Sequence, residues 1–365
     1  MILNNAKNIM LGLDEVSRIM LGSELIWERA GDDGKETLPL TSSYWNLFTA
    51  FETGTSEIEN GAIHLKSGDE QSYVFSHAET KQKIDLTNVD WIYVSIKSVN
   101  SGYPNYLCLN TESQSTTPNR NYSVYQWSWS SSGEYVRAVD VRDIVGEYYI
   151  RFMSDRFGEM FVYDITLVSE MSFDDFDTVE YISTTAKQWT SLKTAVNPNE
   201  LEVQTKVAFN NVTYDEQKII TSGTDLSFST HNYRMYIYSK GSSGLYGGSL
   251  TAGIDYLLGY KMTEDTKTVT LDGVSSSAAK VAISNTSVAL DLFGNTLNSN
   301  CWFNGKLYWL KIYSSGELVC DLIPIVRKYD GVAGLWDNIS KTAFFSTAGT
   351  DFTAGTDFLA PEVTE

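Results

Sequence analysis

Cysteine is nearly absent from this chain of 365 residues: only Cys108, Cys301 and Cys320 occur. An odd, sparse set with no Cys-x-x-Cys pair excludes a zinc-ribbon pattern and predicts free thiols. Cys301 and Cys320 flank a hairpin turn near Ser314–Gly316 at unequal offsets, so they are not placed to bridge. Histidine is as rare. His64, His77 and His231 stand far apart, form no His-x-x-x-His pair or triad neighbourhood, and read as structural or exposed. No Gly-x-Gly-x-x-Gly or P-loop pattern is present. The glycine-rich run Lys240–Gly248 lies between strand patterns with no helix after it, and reads as a flexible loop, with a ligand lip as the alternative. Positive charge is in deficit, 27 Lys and Arg against 46 Asp and Glu, for a net charge of −19. Such a chain repels phosphate backbones and anionic membranes, so no nucleic-acid or membrane partner is expected. The acidity reads as solubility, or as calcium affinity at loop carboxylates. No apolar run approaches the roughly 20 residues of a membrane-spanning helix. A basic region followed by an apolar stretch and a small-residue cleavage site is missing too, so synthesis in a cytoplasm without a signal peptide is expected.

Aromatic residues, by contrast, are plentiful: 22 Tyr, 16 Phe and 9 Trp, or 13%. They favour strands, and they suit surfaces that bind sugar rings. Helical periodicity is nearly absent. Alternating runs include Trp91-Ile-Tyr-Val-Ser-Ile-Lys97, Tyr122–Trp129, Leu201–Phe209 and Tyr233–Tyr238, separated by turn signals such as Asn60-Gly61, Asp272-Gly273 and Asn304-Gly305. Strands at this spacing, without βαβ alternation, predict an all-β chain of antiparallel β-sandwiches.

The chain opens on a repeat, Ile9-Met-Leu-Gly12 and Ile19-Met-Leu-Gly22. Each copy ends in a turn signal, so three short strands are expected at 7–11, 16–21 and 25–27. Strands this short cannot bury a core alone. The apolar surface of Ile9, Leu11, Ile19, Leu21 and Trp27 must therefore go into copies of itself or onto a larger body. The pattern Lys7-Asn-Ile-Met-Leu-Gly12, Val16-Ser-Arg-Ile-Met-Leu-Gly22 and Leu25-Ile-Trp27 resembles the N-terminal module of tail, baseplate and fibre proteins from phages and prophages of Gram-positive bacteria. The likeness covers about the first 28 residues. It implies that residues 1–30 are an attachment or oligomerisation piece, with other virion tail or baseplate proteins as partners and a homo-oligomer as the assembly. Met10 and Met20 stand where that family often has Tyr.

Residues 31–40 read as a linker and residues 41–170 as a first sandwich. Through Phe51-Glu-Thr-Gly54 and Tyr163-Asp-Ile-Thr-Leu167, the latter resembles jelly-roll carbohydrate-binding modules. The resemblance implies a structural Ca2+ held by Glu52 and Asp164. Tyr125, Trp127 and Trp129 share one strand face, with Tyr122 and Tyr135 nearby. That face is either sandwich core or an outward platform for sugar.

A linker at 171–178 precedes a second sandwich at 179–360. The runs Val179-Glu-Tyr-Ile-Ser-Thr-Thr185, Val269-Thr-Leu-Asp-Gly273, Phe303–Tyr313, Asp321–Arg327 and Gly331–Asp337 resemble concanavalin-like, laminin-G-like lectin domains. This implies a two-sheet jelly roll that binds glycan or serves structure, with Trp189, Trp302, Trp309 and Trp336 as packing residues. Glycanases on such folds use spaced carboxylates on one strand face. Glu200 and Glu202 are the nearest candidates, but Thr205 stands where a third would be needed, so they read as a solvated strand edge. The expectation is a non-catalytic tail protein of a virion that adheres to host cell-surface polysaccharide. A purely structural fibre or decoration protein, or a glycan depolymerase, are the alternatives.

Overall fold

The computed structural model describes residues 34–49, 54–68, 75–99, 103–113, 123–129, 131–155, 157–169, 171–185, 187–223, 225–294, 301–347 and 350–355, together with the strand backbones within 9–28. The chain divides into two compact units, Met1–Met171 and Ser172–Glu365. Both are all-β, and every strand ladder is antiparallel. The one helical element among the described residues is the 3-10 turn Phe173–Asp175.

In the first unit two sheets enclose one core. One sheet runs Tyr125–Trp129, Asn105–Asn110, Glu147–Asp155, Phe75–Thr80, Trp45–Phe48. The other runs Gly133–Asp140, Trp91–Ser98, Glu159–Val168, Ala62–Lys66, Thr55–Glu59. Period-two alternation explains the layers. Ile92, Val94 and Ile96 point inward from one sheet, and Leu107, Leu109, Ile150 and Phe152 meet them from the other. All are fully buried or nearly so, and each such side chain contributes about 1.5–3 kcal/mol.

The second unit pairs a six-stranded sheet with a larger one. The six-stranded sheet runs Thr190–Val196, Val288–Leu292, Gln217–Thr221, Leu226–His231, Arg234–Ser239, Leu245–Ser249. The larger sheet is built around Leu201–Phe209, Gly305–Ser314 and Glu317–Arg327. Phe228 of the first stacks on Tyr260 of the second, centroids 4.9 Å apart, which joins the two layers at the centre of the core.

Several expectations need correction. The N-terminal repeat forms four strands, not three: Ile9–Leu11 pairs with Asp14–Val16, and Arg18–Leu21 pairs with Glu24–Glu28. Each copy of the repeat closes its own hairpin, because Leu11 pairs with Asp14 and Leu21 with Glu24. The side chains of Ile9, Leu11, Ile19, Leu21 and Trp27 lie outside the described residues. Residues 31–40 are more than a linker: Lys35–Thr37 pairs with Glu159–Val168, and Leu38 is buried. Residues 171–178 likewise contribute Phe176–Thr178, a strand on Glu317–Arg327. In both segments one apolar side chain, Leu38 or Phe176, is drawn into a core and brings the backbone onto a sheet edge. Asn304-Gly305 makes no hairpin turn. Gly305 begins a strand where a Cβ would lie 2.2 Å from the Ala208 carbonyl oxygen, so the glycine serves close approach of two backbones. Asp272-Gly273 does turn a hairpin, with φ of 46° and 85°.

Candidate functional site

In the second unit the six-stranded sheet turns one face to the core and carries polar and aromatic groups on the other. Leu226 and Phe228 point inward, so Ser227, Ser229 and His231 point away. Register extends that face across the sheet: Ser227 pairs with Tyr238, Ser229 with Tyr236, and Tyr236 with Tyr246. Four aromatic rings gather there. The centroid separations are 4.9 Å for Tyr236–Tyr246, 5.3 Å for His231–Tyr236, 5.7 Å for His231–Tyr246 and 5.6 Å for Tyr214–His231. His231 Nδ1 lies 2.7 Å from the Tyr246 hydroxyl. Tyr214 is 61% exposed and forms the outer edge.

Local structure holds this cluster. Asn232 and Tyr233, with φ of 52° and 60°, make a two-residue turn that leaves Tyr233 exposed. Their backbone amides donate to the carbonyls of Tyr214 and Thr213, fixing that loop beside the turn. Gly244 lies against the Tyr236 ring, where a Cβ would come within 2.1 Å of it. Glu216 Oε1 accepts from the hydroxyls of Ser227 at 2.7 Å and Ser229 at 2.8 Å, placing a carboxylate beside the rings. Burial first, then the neighbouring Tyr246 and Glu216, raise the Tyr236 phenol above its ordinary value. Flat apolar ring faces beside hydroxyl, amide and carboxylate groups are the elements that sugar recognition uses.

The residues chosen from sequence fall elsewhere. Tyr125, Trp127 and Trp129 do share a face, on the edge strand of the first unit. Trp127 pairs with core residue Leu107, and Trp127, Trp129 and Tyr135 are half-buried against that core. Tyr125 is 36% exposed and meets Tyr148 edge-on, 6.0 Å between centroids. Tyr122 and the calcium candidate Glu52 lie outside the described residues. The other calcium candidate, Asp164, sits at a bulge in Glu159–Val168 and accepts from the Thr166 hydroxyl at 3.2 Å. Glu202 is held by Lys261 at 2.9 Å and Gln204 at 2.8 Å. Those two hydrogen bonds, Lys261's first, hold its carboxyl below its usual range. Glu200 hydrogen-bonds Ser315 in the turn after Gly305–Ser314. Trp336 is buried as expected, whereas Trp189, Trp302 and Trp309 are half-buried. The run 240–248 is a loop only in its first part, because Leu245–Ser249 pairs with Arg234–Ser239 and delivers Tyr246. The signal that could have found the site is the polar alternation Ser227, Ser229, His231 beside the aromatic pair Tyr236 and Tyr238.

No protein-family model and no curated protein sequence matches the chain. Solved structures do match, all distantly. A candidate carbohydrate-binding protein from Bacteroides ovatus shares 9% identity over 80% of this chain and 95% of its own, with a TM-score of 0.38. Domains LG4–5 of the mouse laminin α1 chain share 10% identity over 85% and 96%, with a TM-score of 0.26. Botulinum neurotoxin type C, whose cell entry depends on two ganglioside molecules, shares 10% over 89% and 99%, with a TM-score of 0.24. At such distances no ligand or activity passes from them to this chain. Among the described residues no helix is long and apolar enough to cross a membrane.

Proposed function

We propose that this protein is a non-catalytic adhesin of a phage tail or baseplate, joined to other tail proteins through residues 1–30 and to host cell-wall polysaccharide through the second unit. The observation that carries the glycan reading is the cluster of Tyr214, His231, Tyr236 and Tyr246 beside Glu216, Ser227 and Ser229. It offers stacking faces and hydrogen-bonding groups on one sheet face. The N-terminal repeat, with its paired hairpins, supports the virion reading.

The non-catalytic part rests on the carboxylates. A glycosidase acid needs a raised pKa, whereas Glu202 is pulled down by Lys261. One Glu216 oxygen is already engaged by two serine hydroxyls.

The test is binding of the labelled full chain to Gram-positive cells and their extracted wall polysaccharides. Saturable binding, competed by one polysaccharide and lost in Tyr236→Ala with Tyr246→Ala, is expected. Failure to bind any host of the parent phage overturns the adhesin and leaves a structural fibre. Release of reducing ends from the bound polysaccharide overturns the non-catalytic part.

A further inference from the structure

The outer face of the other unit carries a different cluster. Asn60 and Gly61, with φ of 52° and 80°, close a hairpin between Thr55–Glu59 and Ala62–Lys66. Its register sets Glu57 directly opposite His64, and Glu59 shares the face of Glu57. One ligand atom each from Glu57, Glu59 and His64 lies within 4.8 Å of the others.

The imidazole is held in place from two sides. His64 lies flat on Phe161, centroids 4.2 Å apart and planes 7° apart, and its side chain is 13% exposed. Its Nε2 is 3.0 Å from Glu159 Oε1. A carboxylate only accepts, so Nε2 donates, and in the neutral ring Nδ1 then keeps its lone pair. That Nδ1 is buried, has no hydrogen-bond partner among the described residues, and lies 3.4 Å from Glu57 Oε1. A nitrogen lone pair facing a carboxylate oxygen is repulsive unless a positive centre stands between them.

We propose that Glu57, Glu59 and His64 bind a borderline divalent cation of the zinc class, with Glu159 orienting the ring from behind. Bonds of about 2.0–2.1 Å in tetrahedral geometry set ligand atoms about 3.3–3.5 Å apart, which the Nδ1–Glu57 separation meets. Glu59 is exposed, so rotation of its side chain closes the remaining distance. Asn60 Nδ2 donates to Glu59 Oε1 at 3.2 Å and leaves the second oxygen for the ion. A nitrogen ligand selects zinc over calcium or magnesium. The His–Glu159 hydrogen bond is the outer-shell support that metal-bound imidazoles keep. Three protein ligands leave a fourth tetrahedral position for water. The site pins an edge hairpin and is independent of the glycan reading.

The test is titration of the full chain with ZnCl2 by calorimetry at neutral pH, with CaCl2 in parallel. A single zinc site that calcium does not fill is expected, and CoCl2 in its place should give a tetrahedral visible spectrum. Glu57→Gln with Glu59→Gln, both exposed, should abolish binding. Glu159→Gln should weaken it roughly 10- to 100-fold while the metal-free melting temperature holds. Absence of zinc uptake, uptake unchanged in the double Gln variant, or equal filling by calcium would each overturn the proposal, leaving a proton between His64 and Glu57.

Discussion

Two strands, one in each unit, pose the same problem and resolve it oppositely. Tyr125, Trp127 and Trp129 alternate on one, and Tyr236 and Tyr238 alternate on the other. Spacing alone says that each set shares a face. The neighbour across the ladder says which face: Trp127 sits beside Leu107 and packs on the core, whereas Tyr236 sits beside Ser229 and faces away. Between-strand register, and not aromatic content, therefore decides whether such a set is packing or surface.

The strongest way to break this contrast is Trp127→Ala with Trp129→Ala. Two half-buried indoles should cost about 4 kcal/mol of stability, about half the full-burial value for each. Denaturant melts should show that loss while polysaccharide binding by the folded fraction holds. A binding loss without destabilisation would make the first unit the sugar platform. Next comes Tyr236→Ala with Tyr246→Ala, where about 2–3 kcal/mol of binding, roughly 30- to 150-fold in Kd, should disappear with little change in melting. A finer probe is Gly244→Ala. Its Cβ must displace the half-exposed Tyr236 ring, so affinity should fall about tenfold, some 1–2 kcal/mol, with the melting temperature nearly fixed. The smallest effect belongs to Glu202. Its folded carboxyl titrates below the ordinary 4.5, so its stabilisation is complete above that pH and fades as pH falls through the lowered value. With Lys261 exposed and Glu202 partly so, the pair should contribute about 0.5 kcal/mol or less, readable as a smaller acid-side drop in melting temperature for Glu202→Gln.

The all-β class and many strands were legible because alternation and the Asp272-Gly273 turn are local signals. The candidate site was not. His231, Tyr236 and Tyr246 come together only through ladders between three strands, and Tyr214 arrives through backbone hydrogen bonds to a turn. Glycine was ambiguous for a related reason. Gly273 answers to its own φ, but Gly305 answers to a carbonyl nearly a hundred positions away, at Ala208. Two of the three histidines read as inert in sequence because the groups beside them lie across strands: Glu57 and Glu159 for His64, Tyr246 for His231.

Phe173 and Phe176 stand over Trp336, with centroids 5.6 and 5.5 Å from it, while Phe176–Thr178 zips onto Glu317–Arg327. Cutting the chain at Val179, the boundary that the sequence pattern suggests, would therefore leave an indole bare and a row of backbone donors and acceptors open. That is a template for sticking to other copies. Expression of the second unit alone should begin by Ser172, and solubility would report the choice before any spectroscopy did.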